Sequence, residues 1–140
     1  MVRFFWFGIL LITAGCGGSP YRLQPVSGVV TLDGTALPNA RVSFEPRRDG
    51  DALVAGPGSY DKTDANGRYQ LRTIGGHRGA VVATHDVTIS TYQGKANPAS
   101  DEPTIITPEK VPPRYREPGA LTFVVPANGT DTADFRLVSE

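Results

Sequence analysis

The sequence predicts an all-β protein, a sandwich of about seven short strands. Three observations predict it. Short β-branched and aromatic runs alternate apolar and polar residues at a period of two, as in RVSFEP (41–46) and THDVTIS (84–90). Turn pairs such as Asp33-Gly34, Asn66-Gly67 and Asn128-Gly129 punctuate those runs. Sixteen glycines and twelve prolines favour turns over helices, and no amphipathic helical pattern offsets them. A closed all-β barrel is the competing architecture for the same signals.

The elements follow in order. Residues 25–32 (PVSGVVTL) form a first strand that ends at the Asp33-Gly34 turn. Pro38-Asn39 leads into a second strand at 40–46, with Val42 and Phe44 on one face. Residues 47–57 are polar and glycine-rich, an exposed loop. A short strand at 58–63 and a partner at 68–72 flank the tight turn Asp64-Ala65-Asn66-Gly67. There Asp64 is expected to cap backbone amides, while Asn66 and Gly67 tolerate positive φ. Gly75 to Gly79 is a loop, and 84–92 is a strand with Val87, Ile89 and Thr91 on one face. Residues 93–118 are polar and proline-rich, longer than an ordinary connection. Two strands close the chain, at 121–126 and 132–138.

The N-terminus carries a different signal. Arg3 precedes an uncharged run, FFWFGILLI (4–12), too short to span a bilayer. A basic start, a short apolar run and small residues are the parts of a secretory signal peptide. Thr13-Ala14-Gly15-Cys16 follows directly and resembles the lipobox of bacterial lipoproteins, with Thr13 where leucine is more usual. That resemblance implies a diacylglyceryl thioether on Cys16 and cleavage before it. The expected organisation is a signal peptide over 1–15, a lipidated cysteine and tether over 16–24, and one domain over 25–140. Acyl chains contribute about 0.8 kcal/mol per buried CH2, and more than one gives stable attachment. Gly17 stands where an aspartate would mark inner-membrane retention, which favours an outer-membrane or periplasm-facing location. Cys16 is the one cysteine, so neither an internal disulfide nor a CxxC redox site is available.

Formal net charge is zero, which suggests no basic face for nucleic acid. The expected partners are the membrane, through the anchor, and an envelope protein.

VSGVVTLDGTALPNARVSFEP and then TDANGRYQL resemble the transthyretin-like, carboxypeptidase regulatory-like domains. Gly28, Val30, Gly34, Leu37, Ala40, Val42 and Phe44 fit the first motif of that family, and Thr63, Asp64, Gly67 and Tyr69 the second. HDVTIS and the stretch from VPPRY to FRL resemble single-domain bacterial lipoproteins of this type. The resemblance implies a seven-stranded prealbumin-like sandwich. Its motifs are signatures of fold rather than chemistry.

No residue set points to catalysis or a cofactor. Asp61, Asp64 and Asn66 are spaced somewhat like a calcium loop, but Arg72 occupies the position of the bidentate glutamate. His77 and His85 are too widely spaced for an H-x-H pair and too few for a zinc site. With Tyr60, Tyr69, Tyr92 or Tyr115 they resemble in type the iron ligands of the fold-related intradiol dioxygenases, but the histidines there form a close H-x-H pair and these are eight apart. Ser27, Ser43, Ser59 and Ser90 lack a G-x-S-x-G elbow. Lys62, Lys95 and Lys110 with Asn128 would need a buried lysine to form an isopeptide bond, and none lies in an apolar run. The segment 108–118 (PEKVPPRYREP) reads either as a polyproline-like docking site or as a crossover with Val111 and Tyr115 packed over the sandwich. The expected function is a non-enzymatic, membrane-anchored interaction or structural module. Carbohydrate or matrix binding is a second reading, and a small transthyretin-like hydrolase a third.

Overall fold

The computed structural model describes residues 21–48 and 55–140. In chain order the first strands are β1 (Leu23–Gln24), β2 (Ser27–Leu32), β3 (Thr35–Ala36), β4 (Arg41–Pro46), β5 (Ser59–Lys62), β6 (Arg68–Gln70) and β7 (Arg72–Thr73). There follow β8 (Ala80–Val81), β9 (Thr84–Ser90), β10 (Gln93–Lys95), β11 (Thr104–Thr107), β12 (Leu121–Val124) and β13 (Phe135–Leu137). The one helical piece among the described residues is a 3-10 turn at Pro113–Tyr115. None of these elements is a helix long and apolar enough to cross a membrane.

Two sheets enclose the core. The larger has five strands in the order β12-β9-β4-β5-β7, with every neighbour antiparallel. The smaller is built on β2, which pairs with β13 in parallel and with β3 and β6 antiparallel. Alternation decides which side chains turn inward: Val42 and Phe44 from β4, Val87 and Ile89 from β9, Val30 from β2, and Phe135 and Leu137 from β13 are buried. Phe44 stands at the centre, with ring centroids 6.5 Å from Tyr69, 5.8 Å from Phe123 and 6.1 Å from Phe135. The contacts with Tyr69 and Phe135 join the two sheets. Each fully buried side chain of this size contributes about 1.5–3 kcal/mol.

The expected strand at 68–72 is split. β6 belongs to the small sheet and β7 to the large one, and the fully buried Leu71 marks the crossing. The chain changes sheet there because Gln70 N–H donates to Asp61 Oδ2 at 2.7 Å while Leu71 N–H donates to the Val26 carbonyl at 2.9 Å. Leu23 and Gln24, placed by sequence in the tether, pair with β8.

The long stretch at 93–118 has structure of its own. β10 and β11 form a two-stranded ribbon, and the chain then returns over the sandwich. Val111 is buried in the core and Tyr115 packs against it. This is the crossover reading of that segment.

Candidate functional site

Thr13, Ala14, Gly15 and Cys16 lie outside the described residues, as does part of the 47–57 loop. The turn residues are in place. Asp64 Oδ1 accepts from the backbone N–H groups of Asn66 and Arg68, both at 2.9 Å. Gly67 has φ +73°, and a Cβ there would stand 2.5 Å from the Val30 carbonyl oxygen. Thr63 is buried beside them, donating to the Leu37 carbonyl at 2.6 Å and accepting from Ala40 N–H at 2.8 Å. These residues hold a corner of the sandwich, and every contact is spent on backbone.

The two histidines are separated by environment. His77 stands exposed between β7 and β8, whereas His85 is fully buried in β9. The His85 ring packs 5.5 Å from Phe44, and Nε2 lies 2.7 Å from the Val81 carbonyl oxygen, which fixes the proton on Nε2. Nδ1 has no hydrogen-bond partner among the described residues. Burial pushes this imidazole below its ordinary value, against smaller upward effects from the Val81 and Phe44 backbone and from Glu45 and Asp86. Lys62, Lys95 and Lys110 are exposed. Among the described residues no group of three or more His, Cys, Asp and Glu side chains is placed to hold a metal ion.

A recess that sequence reasoning missed lies on the outer face of the large sheet. It is a groove of ≈390 Å³ lined by Asn39, Arg41, Tyr60, Lys62, Ser90 and Tyr92 among others. Register explains the grouping. Arg41 is opposite Lys62 on one side and Ser90 on the other, and Tyr60 is opposite Ser43 and Arg72. Arg72 is in turn opposite Arg78. Cross-strand partners share a face with Cβ atoms about 4.5–5.5 Å apart, so these side chains form a compact outward patch. Tyr60 and Tyr92 keep 42% and 44% of their surface exposed. The Arg41 guanidinium sits 4.7 Å over the Tyr60 ring, and its Nε donates to Ser43 Oγ at 3.4 Å.

Charge on this face is uneven. Arg41, Lys62, Arg72 and Arg78 make no ion pair with any described residue. The nearest acid in sequence, Asp61, also lines the groove but accepts from Gln70 N–H of β6. Glu45 and Asp86 face each other further along the sheet, and Asp86 pairs with Arg47 at 2.5 Å. Zero net charge over the chain therefore conceals a basic end on one sheet face. The available sequence signal was the outward parity of Arg41, Tyr60 and Lys62, which acquires meaning only with the strand register.

Two other surfaces are notable. A shallower groove of ≈440 Å³ runs beside Ser27, Val29, Asp64, Arg68 and Asp131. The β10–β11 ribbon carries Ile105 and Ile106, exposed at 61% and 62%. Adjacent residues of a strand point to opposite faces, so this ribbon is apolar on both sides.

No known protein family and no curated protein matches the chain. Among solved structures it is similar to a crystal structure of a 9R-lipoxygenase from Cyanothece PCC8801, at 16% identity and a TM-score of 0.42. The match covers 83% of this chain and 16% of the lipoxygenase chain. A likeness of that degree decides neither fold nor chemistry.

Proposed function

We propose that this protein is a lipid-anchored lipoprotein of the bacterial cell envelope, outer-membrane or periplasm-facing, whose prealbumin-like sandwich is a non-catalytic interaction module. Cys16 carries the lipid, a short tether follows, and the sandwich presents its surfaces to an envelope partner. The anchor is supported by the order of basic start, apolar run, small residues and cysteine in the first sixteen residues. The family resemblance is supported by the work its motif positions do: Thr63, Asp64, Gly67 and Tyr69 all bond or closely approach neighbouring backbone.

The observation that carries the interaction reading is the β10–β11 ribbon. Exposed apolar residues in a two-stranded ribbon with open edges favour burial against another chain, by strand addition and side-chain packing together. Its test is crosslinking in intact cells with the wild type, Cys16→Ala and the double variant Ile105→Ser/Ile106→Ser. The wild type is expected in the membrane fraction with one dominant crosslinked protein. Cys16→Ala should leave that fraction and lose incorporated fatty acid. The double variant should remain anchored and lose the crosslink. A wild type that is soluble and unlabelled by fatty acid refutes the anchor, and an unchanged crosslink in the double variant refutes the ribbon.

A further inference from the structure

We infer that the groove on the outer face of the large sheet binds an acidic oligosaccharide, a chain of uronic-acid sugars. The inference goes beyond the anchored-module reading and is independent of the lipid, so each can fail without the other.

The groove crosses β5, β4 and β9, the interior of the sheet, where β4 is paired on both sides. β4, which carries Arg41, therefore offers no backbone edge for a peptide strand to join. Side chains must do the recognition. Those present are two exposed tyrosines, the cations Arg41 and Lys62, the hydrogen-bonding groups Asn39, Ser90 and Gln93, and one acid, Asp61, whose Oδ2 is engaged by Gln70 N–H. Aliphatic anchors of the kind that seat an amphipathic helix are missing from this lining. A recess of ≈390 Å³ falls in the range of small-ligand sites and is too concave for a flat membrane surface to enter.

The charge pattern specifies the ligand further. Arg41 is held over Tyr60 before any ligand arrives, so little side-chain freedom remains to be lost on binding. A fixed guanidinium presents a fork of N–H donors that matches a carboxylate. Lys62, which also lines the groove, lies opposite Arg41, so a second carboxylate on the same ligand meets a cation too. Tyr92 supplies an amphipathic ring at the other end, suited to the apolar C–H face of a pyranose. Glu109, which takes a hydrogen bond from Ser90, adds negative charge at that end and places the acid-binding half at Arg41 and Lys62.

The experiment is calorimetric titration of the full-length protein with a galacturonate oligosaccharide. Maltooligosaccharide, poly-glutamate, oligodeoxythymidylate and phosphatidylglycerol vesicles serve as comparison probes. Galacturonate is expected to bind, to weaken steeply between low and high salt, and to exceed every comparison probe. Arg41→Gln should weaken it about tenfold or more, and Tyr60→Ala should weaken it as well because Arg41 loses its platform. Arg136→Gln, on the small sheet, should bind like wild type. Thermal melts of each variant separate loss of binding from loss of fold. If Tyr60→Ala melts early, Lys62→Gln, an exposed change, replaces it. Absence of galacturonate binding overturns the inference, as does equal or tighter binding of the peptide, DNA, vesicles or neutral sugar. Full affinity in Arg41→Gln would overturn it as well.

Discussion

The Tyr69 hydroxyl donates to the Ala133 carbonyl oxygen at 2.5 Å and joins β6 to the segment that enters β13. The same oxygen lies over Gly28, where a Cβ would stand 2.0 Å from it. Gly28 and Tyr69 are cross-strand partners, so one buried acceptor sets the identity of both. Tyr69→Phe leaves that acceptor unpaired and should cost about 1–3 kcal/mol. Gly28→Ala should cost more, because the clash is with backbone that cannot rotate away. Denaturant midpoints should fall in that order, with the m-value unchanged.

Tyr69 also predicts an alkaline effect. Burial, followed by the charge of Asp134, pushes the phenol well above its ordinary value of 10.0. The folded state thus keeps a proton that the unfolded state releases. This stabilisation is fully present below pH 10 and is lost as pH rises above it, towards the folded value. Melting temperature should decline above that pH in the wild type, and the decline should be shallower in Tyr69→Phe.

His85 predicts the acid counterpart. Its folded value is depressed, chiefly by burial, so the unfolded chain binds a proton first as pH falls. Stability from the neutral, buried ring is present above the ordinary value of 6.5 and lost below it, down to the folded value. One proton gives a slope of at most about 1.4 kcal/mol per pH unit. His85→Gln should be less stable at pH 8 yet flatter between pH 7 and 5.

Much of this fold could be read from local chemistry. The Asp33-Gly34 pair predicts a two-residue turn with both φ positive, and the values are 51° and 81°. Asp64, Asn66 and Gly67 likewise carry their turn in their own side chains and backbone freedom. Alternation in β4 and β9 identified Val42, Phe44, Val87 and Ile89 as core. What could not be read depends on partners far away in sequence. The sheet change at Leu71 rests on Asp61 and Val26, and the parallel pairing of β13 with β2 joins residues at opposite ends of the domain. The β10–β11 ribbon escaped because QGK and TIIT are short and unalternating, and only their mutual pairing makes them strands. The outer-face groove was hidden for the same reason. Arg41, Tyr60, Ser90 and Tyr92 are scattered in sequence and line one groove only through register.

The last prediction concerns Glu109, which fastens the returning segment to β9. Its carboxylate accepts from Ser90 Oγ, from Thr91 N–H at 3.0 Å and from Val111 N–H at 3.0 Å, with Arg116 at 4.0 Å. Thr91 Oγ1 completes the fastening by donating to the Pro108 carbonyl at 2.9 Å and accepting from Lys110 N–H at 2.7 Å. Burial opposes ionisation of Glu109, but the hydrogen bonds from Ser90, Thr91 and Val111 outweigh it and hold the carboxyl below its ordinary value of 4.5. The resulting stability is present above that value and lost as pH falls through the folded one. Glu109→Gln keeps the shape and removes the charge, weakening each of these bonds, and should cost about 1–3 kcal/mol. Because Val111 is the apolar anchor of the same segment, its release should be local before it is global. Limited proteolysis of Glu109→Gln should therefore cut within 93–118 faster than the wild type. A chain cut there at the wild-type rate would mean that Val111 and Tyr115 hold the segment without the carboxylate.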